Sequence, residues 1–368
     1  MFSQVIECYG FYFVVKNYQA IYYLYLLTKK DILIMATAQT QFENFHSKIL
    51  MGYDDNEPLR DRRDTLIQEL KDKLSSDVPN MKFFHQGSYA LHTGINPLNG
   101  NPDIDIGIIF ECDPNDEDYQ DPLKLKKIVR DALNTKNRTV KIKRPCVTVE
   151  YLRDGEPIYH IDLALYSCEY GDSDGQTFLA RGKETSSAEE IEWQISSARE
   201  LTDVILNKYT DSSHKKKQFR RIVRYLKRWK DEKLGHKNTP SIGLTVAAYE
   251  FFSANFDFVS GKAQDLLALL SLVNSMLNNW GGDDRLHIYL PVEPSTDLFE
   301  RMSDNQMKDL KTKLEKLSAV LIEARDQPDT HEACKLLKAQ FGDDFPVPDK
   351  SETTKSSSSS VVPAGRSA

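Results

Sequence analysis

The sequence predicts an α+β protein with a sheet domain first, a helical lobe second, and an active site in the cleft between them. Three observations carry this. Up to about Tyr166, short apolar strands and amphipathic helices are mixed, as expected of a sheet covered by helices. From about Ala188 onward the spacing is helical. Two strongly apolar strands are also interrupted by aspartates, and a charge in such a place needs a partner.

Residues 60–75 (RDRRDTLIQELKDKLS) set Leu66, Leu70 and Leu74 on one side of a helix. KFFHQGSYALHT follows as a short apolar strand, a turn at Gly87 and Ser88, and a helix start. Residues 103–110 (DIDIGIIF) read as a strand and 123–134 (LKLKKIVRDALN) as a helix, and VKIK, CVTVEY and PIYHIDLALY read as three more strands. Helices are then expected over 189–208, 213–234, 241–255, 261–280, 300–325 and 330–341, with Pro240 opening one and Thr239 as its N-cap. The Ser-rich end, DKSETTKSSSSSVVPAGRSA, lacks periodicity and reads as a disordered tail. The expected division is 1–34, an extension; 35–187, the sheet domain; 188–345, the helical lobe; and 346–368, the tail.

Composition is that of an ordinary globular protein: 40% hydrophobic and 28% charged over 368 residues. A net charge of −7 argues against a uniformly basic nucleic-acid binder. The five cysteines form no CxxC pair, which fits reduced thiols in the cytoplasm and argues against a zinc site. Residues 1–34 are rich in Tyr, Phe and Val, but Lys16, Asn17 and Gln19 break the run a membrane span needs. They also lack the basic start and small-residue cleavage site of a signal peptide. MATAQTQFENFHSKIL, from Met35, reads as a protein start, so 1–34 are expected to be non-native. A membrane-associating leader is the rival reading.

The chemistry centres on Asp103 and Asp105. One residue apart on a strand, they point the same way, while Ile104 and Ile106 face the core. Paired carboxylates repel unless cations neutralise them, and hard oxygen donors suit Mg²⁺. In HIDLAL, Asp162 stands opposite Ile161, Leu163 and Leu165, and a third carboxylate facing the pair would complete a site for two ions about 4 Å apart. A DxD pair alone usually marks a solvated turn. Its place in an apolar strand, after a Gly-Ser turn and before a third strand aspartate, makes the set specific. Gly87 permits close backbone approach to an anion, and Ser88 with the following amides can donate to phosphate. Arg220, Arg221, Arg224, Lys227 and Arg228 line a helix whose Val223, Leu226 and Trp229 face the core. That stripe is either a solvated basic face or a set of phosphate ligands.

HQGSYALHTGINP, PDIDIGIIF and YHIDLALY, followed by VRYLKRWKDEK and TPSIGLTVAAYEFF, resemble the polymerase-β-like nucleotidyltransferase superfamily. Within it the chain looks like the bacterial cyclic-oligonucleotide synthases related to cyclic GMP-AMP synthase, the CD-NTases, over roughly residues 53–345. The resemblance implies that Gly87 and Ser88 grip a donor triphosphate and that Asp103, Asp105 and Asp162 bind two Mg²⁺ ions. It implies nucleotide contacts from Gln86, Lys227 and Ser241, with Lys230 a weaker candidate. ATP and GTP are the implied substrates, and a cyclic dinucleotide used in antiphage signalling is the implied product. No Cys/His cluster suggests a DNA-binding zinc ribbon, so no DNA requirement is implied. Many such synthases neighbour a ubiquitin-transferase-like ligase, which suggests Ala368 as a conjugation point. The competing expectations are nucleotide transfer to RNA, protein or a small molecule, a cyclic trinucleotide product, and a non-catalytic nucleotide-binding module.

Overall fold

The computed structural model describes residues 38–51, 57–74, 78–98, 103–135, 138–153, 156–235 and 239–350. The extension at 1–34 and the conjugation point at Ala368 lie outside them. The chain divides into two compact units, one of Ile49–Phe252 with Asn279–Leu310, the other within Met1–Lys48, Ser253–Asn278 and Lys311–Ala368.

The first unit is built on a seven-stranded sheet. Strands β1 (Met81–His85), β2 (Asp103–Phe110), β3 (Arg138–Ile142), β4 (Val147–Arg153) and β5 (Glu156–Cys168) lie in the order β1-β2-β5-β4-β3. β6 (Thr177–Arg181) pairs with β5, and β7 (Glu192–Ile195) with β6. Only β2 and β5 run parallel; the other pairs are antiparallel. The strand alternation works as the sequence suggests. Ile104, Ile106 and Ile108 on β2 and Ile161, Leu163 and Leu165 on β5 are fully buried. They share one core with Leu66 and Leu70 of helix α2 (Glu57–Leu74) and Leu125, Val129 and Leu133 of helix α4 (Pro122–Leu133). Each such side chain contributes about 1.5–3 kcal/mol. The opposite face is graded. Ile109, Ala164, Tyr166 and Cys168 form a small apolar cluster at one end, and the aspartates stand at the other.

Between β1 and β2 lies α3 (Gly87–Ala90), a single helical turn. α4 starts with Pro122 at its first turn, and the Asp121 side chain accepts from the Leu123 amide at 2.8 Å. The remaining helices of this unit are α5 (Ala198–Asn207), α6 (Ser213–Lys233) and α7 (Ser241–Phe251). Two expectations are corrected here. The helix expected over 189–208 is a 3₁₀ turn at Ala188–Glu190, then β7, and only then α5. Trp193 donates its indole N–H to the Tyr119 carbonyl at 2.8 Å, and pairing with β6 overrides the local helical spacing. Pro240 is itself the N-cap of α7, so the helix starts at Ser241.

The second unit contains most of α1 (described over residues 38–49), α8 (Asp265–Asn278), most of α9 (Asp304–Asp326) and α10 (Thr330–Phe341). Phe42 and Phe45 pack against Phe341 and Phe345, with centroids 5.1–6.1 Å apart. The Gln39 side chain accepts from the Asp265 amide at 2.7 Å. No helix among the described residues is long and apolar enough to cross a membrane.

Candidate active site

The candidate site lies wholly within the first unit, on the polar end of the sheet face. In the parallel β2–β5 pair, Asp105 is the register partner of Asp162, and Asp103 of His160. Register partners point to the same face, so three carboxylates and an imidazole rise together. Asp103 is exposed, Asp105 and Asp162 partly buried. Burial, then the charges of Asp103 and Asp162, push the Asp105 carboxyl up to about 7, with Lys227 and Lys143 opposing the shift. Asp105 is therefore electrostatically coupled to both of its expected partners. Among the described residues, however, no three His, Cys, Asp or Glu side chains converge on a single point. The three carboxylates are carried by two adjacent strands.

The Gly87 turn sits directly over Asp105. Gly87 has φ +63°, and a Cβ there would fall 2.1 Å from Asp105 Oδ2; only glycine allows this approach. Gly107 serves the same strand differently: a Cβ would meet the Phe84 ring at 2.1 Å, so its absence lets β1 close onto β2. A cavity of about 460 Å³ opens beside the turn, lined by Gly87, Ser88, Asp103, Asp105 and His160 from the sheet side and by Lys227, Lys230 and Ser241 from α6 and α7. Apolar walls come from Leu91, Ile95, Pro97 and Ile242.

The residues implied by resemblance divide on inspection. Lys227, Lys230, Ser241 and Ser88 all line the cavity. Lys230 donates to the Ser241 hydroxyl at 3.0 Å and pairs with Asp231 at 3.0 Å. Lys227 is buried, and its ammonium donates to the Thr93 carbonyl and hydroxyl at 3.1 and 3.2 Å. Burial, then the neighbouring Arg224, lower it to about 8. Gln86 and Asp162 do not line the cavity. The Gln86 side-chain oxygen accepts from the Tyr166 hydroxyl at 2.9 Å. Asp162 lies toward β4, where the buried Thr148, its register partner, donates to Oδ1 at 2.6 Å and Lys143 stands 3.9 Å away. The backbone carrying Lys143 is pinned by the buried Lys126, which donates to the carbonyls of Lys143, Arg144 and Gly182 at 2.8–2.9 Å.

Two of these supporting residues follow from the strand alternation that singles out Asp162. In CVTVEY, Val147 and Val149 face the core, so Thr148 must face the aspartates; His160 stands two places before Asp162. Lys143 carries no such signal, because its reach depends on the β3–β4 turn. The basic stripe of α6 is not a solvated face. Arg224, Lys227 and Arg228 are buried, and each donates to backbone carbonyls of residues 92–96.

A mixed sheet presenting aligned aspartates beneath a Gly-Ser turn, with cationic helices across a cleft, defines a polymerase-β-type nucleotidyltransferase fold. Residues 81–166 match the family described as cyclic GMP-AMP synthase DncV-like, nucleotidyltransferase domain. Over that stretch the chain is similar to the DncV-like nucleotidyltransferases. A cyclic GMP-AMP synthase of Escherichia albertii is 31% identical over 195 residues, 49% of this chain and 39% of that relative's length. Solved structures give the same fold. DncV of Vibrio cholerae, a cyclic AMP-GMP synthase, superposes with TM-score 0.57 at 18% identity, covering 90% of this chain and 92% of its own. CdnG of Bradyrhizobium diazoefficiens, solved with GTP, gives 0.62 at 14% identity, covering 86% and 97%. CdnC of Escherichia coli, solved with ATP, gives 0.61 at 18% identity, covering 84% and 98%.

Proposed function

We propose that the protein joins two nucleoside triphosphates, ATP and/or GTP, releasing pyrophosphate at each transfer, and closes the product into a cyclic dinucleotide such as cyclic GMP-AMP. The observation that carries this reading is the alignment of Asp105 with Asp162, beside Asp103 and under the Gly87 turn. The donor set fits divalent cations: its oxygens are hard, and burial of Asp105 among like charges leaves a cost that a cation would remove. Asp103, Asp105 and Asp162 would hold two Mg²⁺ ions. Such ions, when bound, lower the pKa of an attacking ribose hydroxyl and stabilise the charge on departing pyrophosphate.

The chain supplies the remainder. Gly87 lets the donor's phosphates approach the backbone, and the Ser88 hydroxyl donates to them. Lys227 spends two N–H groups on Thr93, which leaves the third for phosphate. Lys230 and Ser241, already hydrogen-bonded to each other, offer a second polar anchor across the cavity. The apolar walls at Ile95, Pro97 and Ile242 suit the faces of bases. Thr148 occupies Oδ1 of Asp162, orienting Oδ2 for a metal. The resemblance to antiphage synthases extends the reading to a signalling product.

The test is to incubate purified protein with all four ribonucleoside triphosphates and Mg²⁺ and identify products by mass spectrometry. A cyclic dinucleotide, absent for Asp105→Asn, supports the proposal. A cyclic trinucleotide would change the ring size. Product formation only on adding RNA, protein or a small-molecule acceptor would replace the cyclase reading with transfer to that acceptor.

A further inference from the structure

The segment after the Gly87–Ser88 turn is tied to α6 by a row of buried cations. Arg224 Nε donates to the Gly94 carbonyl at 3.1 Å, and Arg224 Nη2 to the His92 carbonyl at 2.5 Å. Lys227 donates to the Thr93 carbonyl at 3.1 Å, and Arg228 Nη2 to the Asn96 carbonyl at 2.7 Å. One helix thus takes four carbonyls from a five-residue segment, using side chains three and four positions apart, which share a helical face.

The segment is in turn continuous with the turn that covers Asp105. The Thr93 amide donates to the Ser88 carbonyl at 2.9 Å, the His92 amide to Tyr89 at 3.1 Å and the Leu91 amide to Gly87 at 3.2 Å. His92 holds a left-handed backbone, φ +51°, which a non-glycine residue adopts only when its surroundings impose it. Charge-assisted bonds from buried guanidinium groups are strong enough to do so. On its other side the segment pairs with residues 49–51: the Asn96 amide donates to Ile49 at 2.8 Å, and Leu50 bridges Ile95. Carbonyls directed at α6 and amides directed at Ser88 and Ile49 leave the segment little freedom, and the turn it anchors inherits that rigidity.

We infer that Arg224 and Arg228 are positioning residues for triphosphate binding, acting through the carbonyls of residues 92–96 to hold the Gly87–Ser88 turn over Asp105. Neither side chain lines the cavity, so their effect on a nucleotide is transmitted through that segment. This rests on the proposed role of Ser88 in gripping phosphate. The rationale is preorganisation: a turn already in its bound form spends less binding free energy on ordering.

A double-mutant cycle tests it. Affinity for ATP and GTP analogues with a non-hydrolysable α–β bridge would be measured by calorimetry for wild type, Arg228→Met, Ser88→Ala and the pair. Each single change is expected to weaken binding about tenfold, and the pair little more than the weaker-binding single variant, because both disable one element. In turnover, Arg228→Met should raise KM more than it lowers kcat. Arg228→Lys, which keeps the charge and one donor, should recover most of the affinity; it also provides a cycle if Arg228→Met does not fold. Losses that multiply, or a loss in Arg228→Met with none in Ser88→Ala, would overturn the inference. Wild type that binds neither analogue would instead overturn the nucleotidyltransferase reading.

Discussion

Asp105 and Asp162 stand opposite each other on adjacent parallel strands, and the carboxyl of Asp105 is pushed up to about 7 by burial and by its acidic neighbours. The three carboxylates thus repel one another across the two strands. The folded state holds a proton that the unfolded chain, with an ordinary carboxyl near 3.8, has already lost. The associated stabilisation is present below about pH 4 and disappears as pH rises through about 7.

Asp105→Asn removes that dependence. In chelator the variant should melt higher than wild type above this window, by roughly 2–4 °C for each kcal/mol of repulsion removed, with the difference shrinking toward acid. The same change should abolish nucleotide joining. Scanning calorimetry across pH, paired with product analysis, checks both.

Gly87→Ala puts a methyl where Asp105 Oδ2 lies, on a backbone with φ +63°. The left-handed conformation alone costs about 1–2 kcal/mol, and either the turn or the carboxylate must move. Activity should fall more than about tenfold with the circular dichroism spectrum unchanged. A fully active variant would mean the turn does not need this approach to Asp105.

Thr148→Val deletes the donor that orients Asp162 while preserving side-chain volume. Divalent affinity, read by titration with Mn²⁺, should weaken about 10–100-fold, and Thr148→Ser should restore it. Unchanged Mn²⁺ binding would show that Asp162 is oriented without Thr148.

His287 lies between Asp283 and Asp297, at 2.9 and 2.7 Å. Hydrogen bonds to both carboxylates raise its pKa above 6.5. That stabilisation is complete below the unfolded value of about 6.5 and lost as pH climbs through the higher folded value. Denaturant midpoints should therefore fall over that range in wild type and fall less in His287→Asn. Parallel curves would exclude the imidazolium as the source.

Much of this protein was legible in its sequence because period and face are local properties. Alternation in DIDIGIIF and HIDLAL separates acidic from apolar faces whatever the neighbouring strands are, and those faces are as expected in the sheet. The same reasoning extended to CVTVEY reaches Thr148. What the tertiary structure alone decided are partnerships across long stretches of chain. Pairing with β6 made a strand of Glu192–Ile195, where local spacing suggests helix. Packing of α6 turned Arg224 and Arg228 from a surface stripe into buried donors for carbonyls more than a hundred residues away. A basic side chain on a helix carries no local record of its acceptor. Its partner exists only once two remote segments bury each other, and burial makes that bond obligatory.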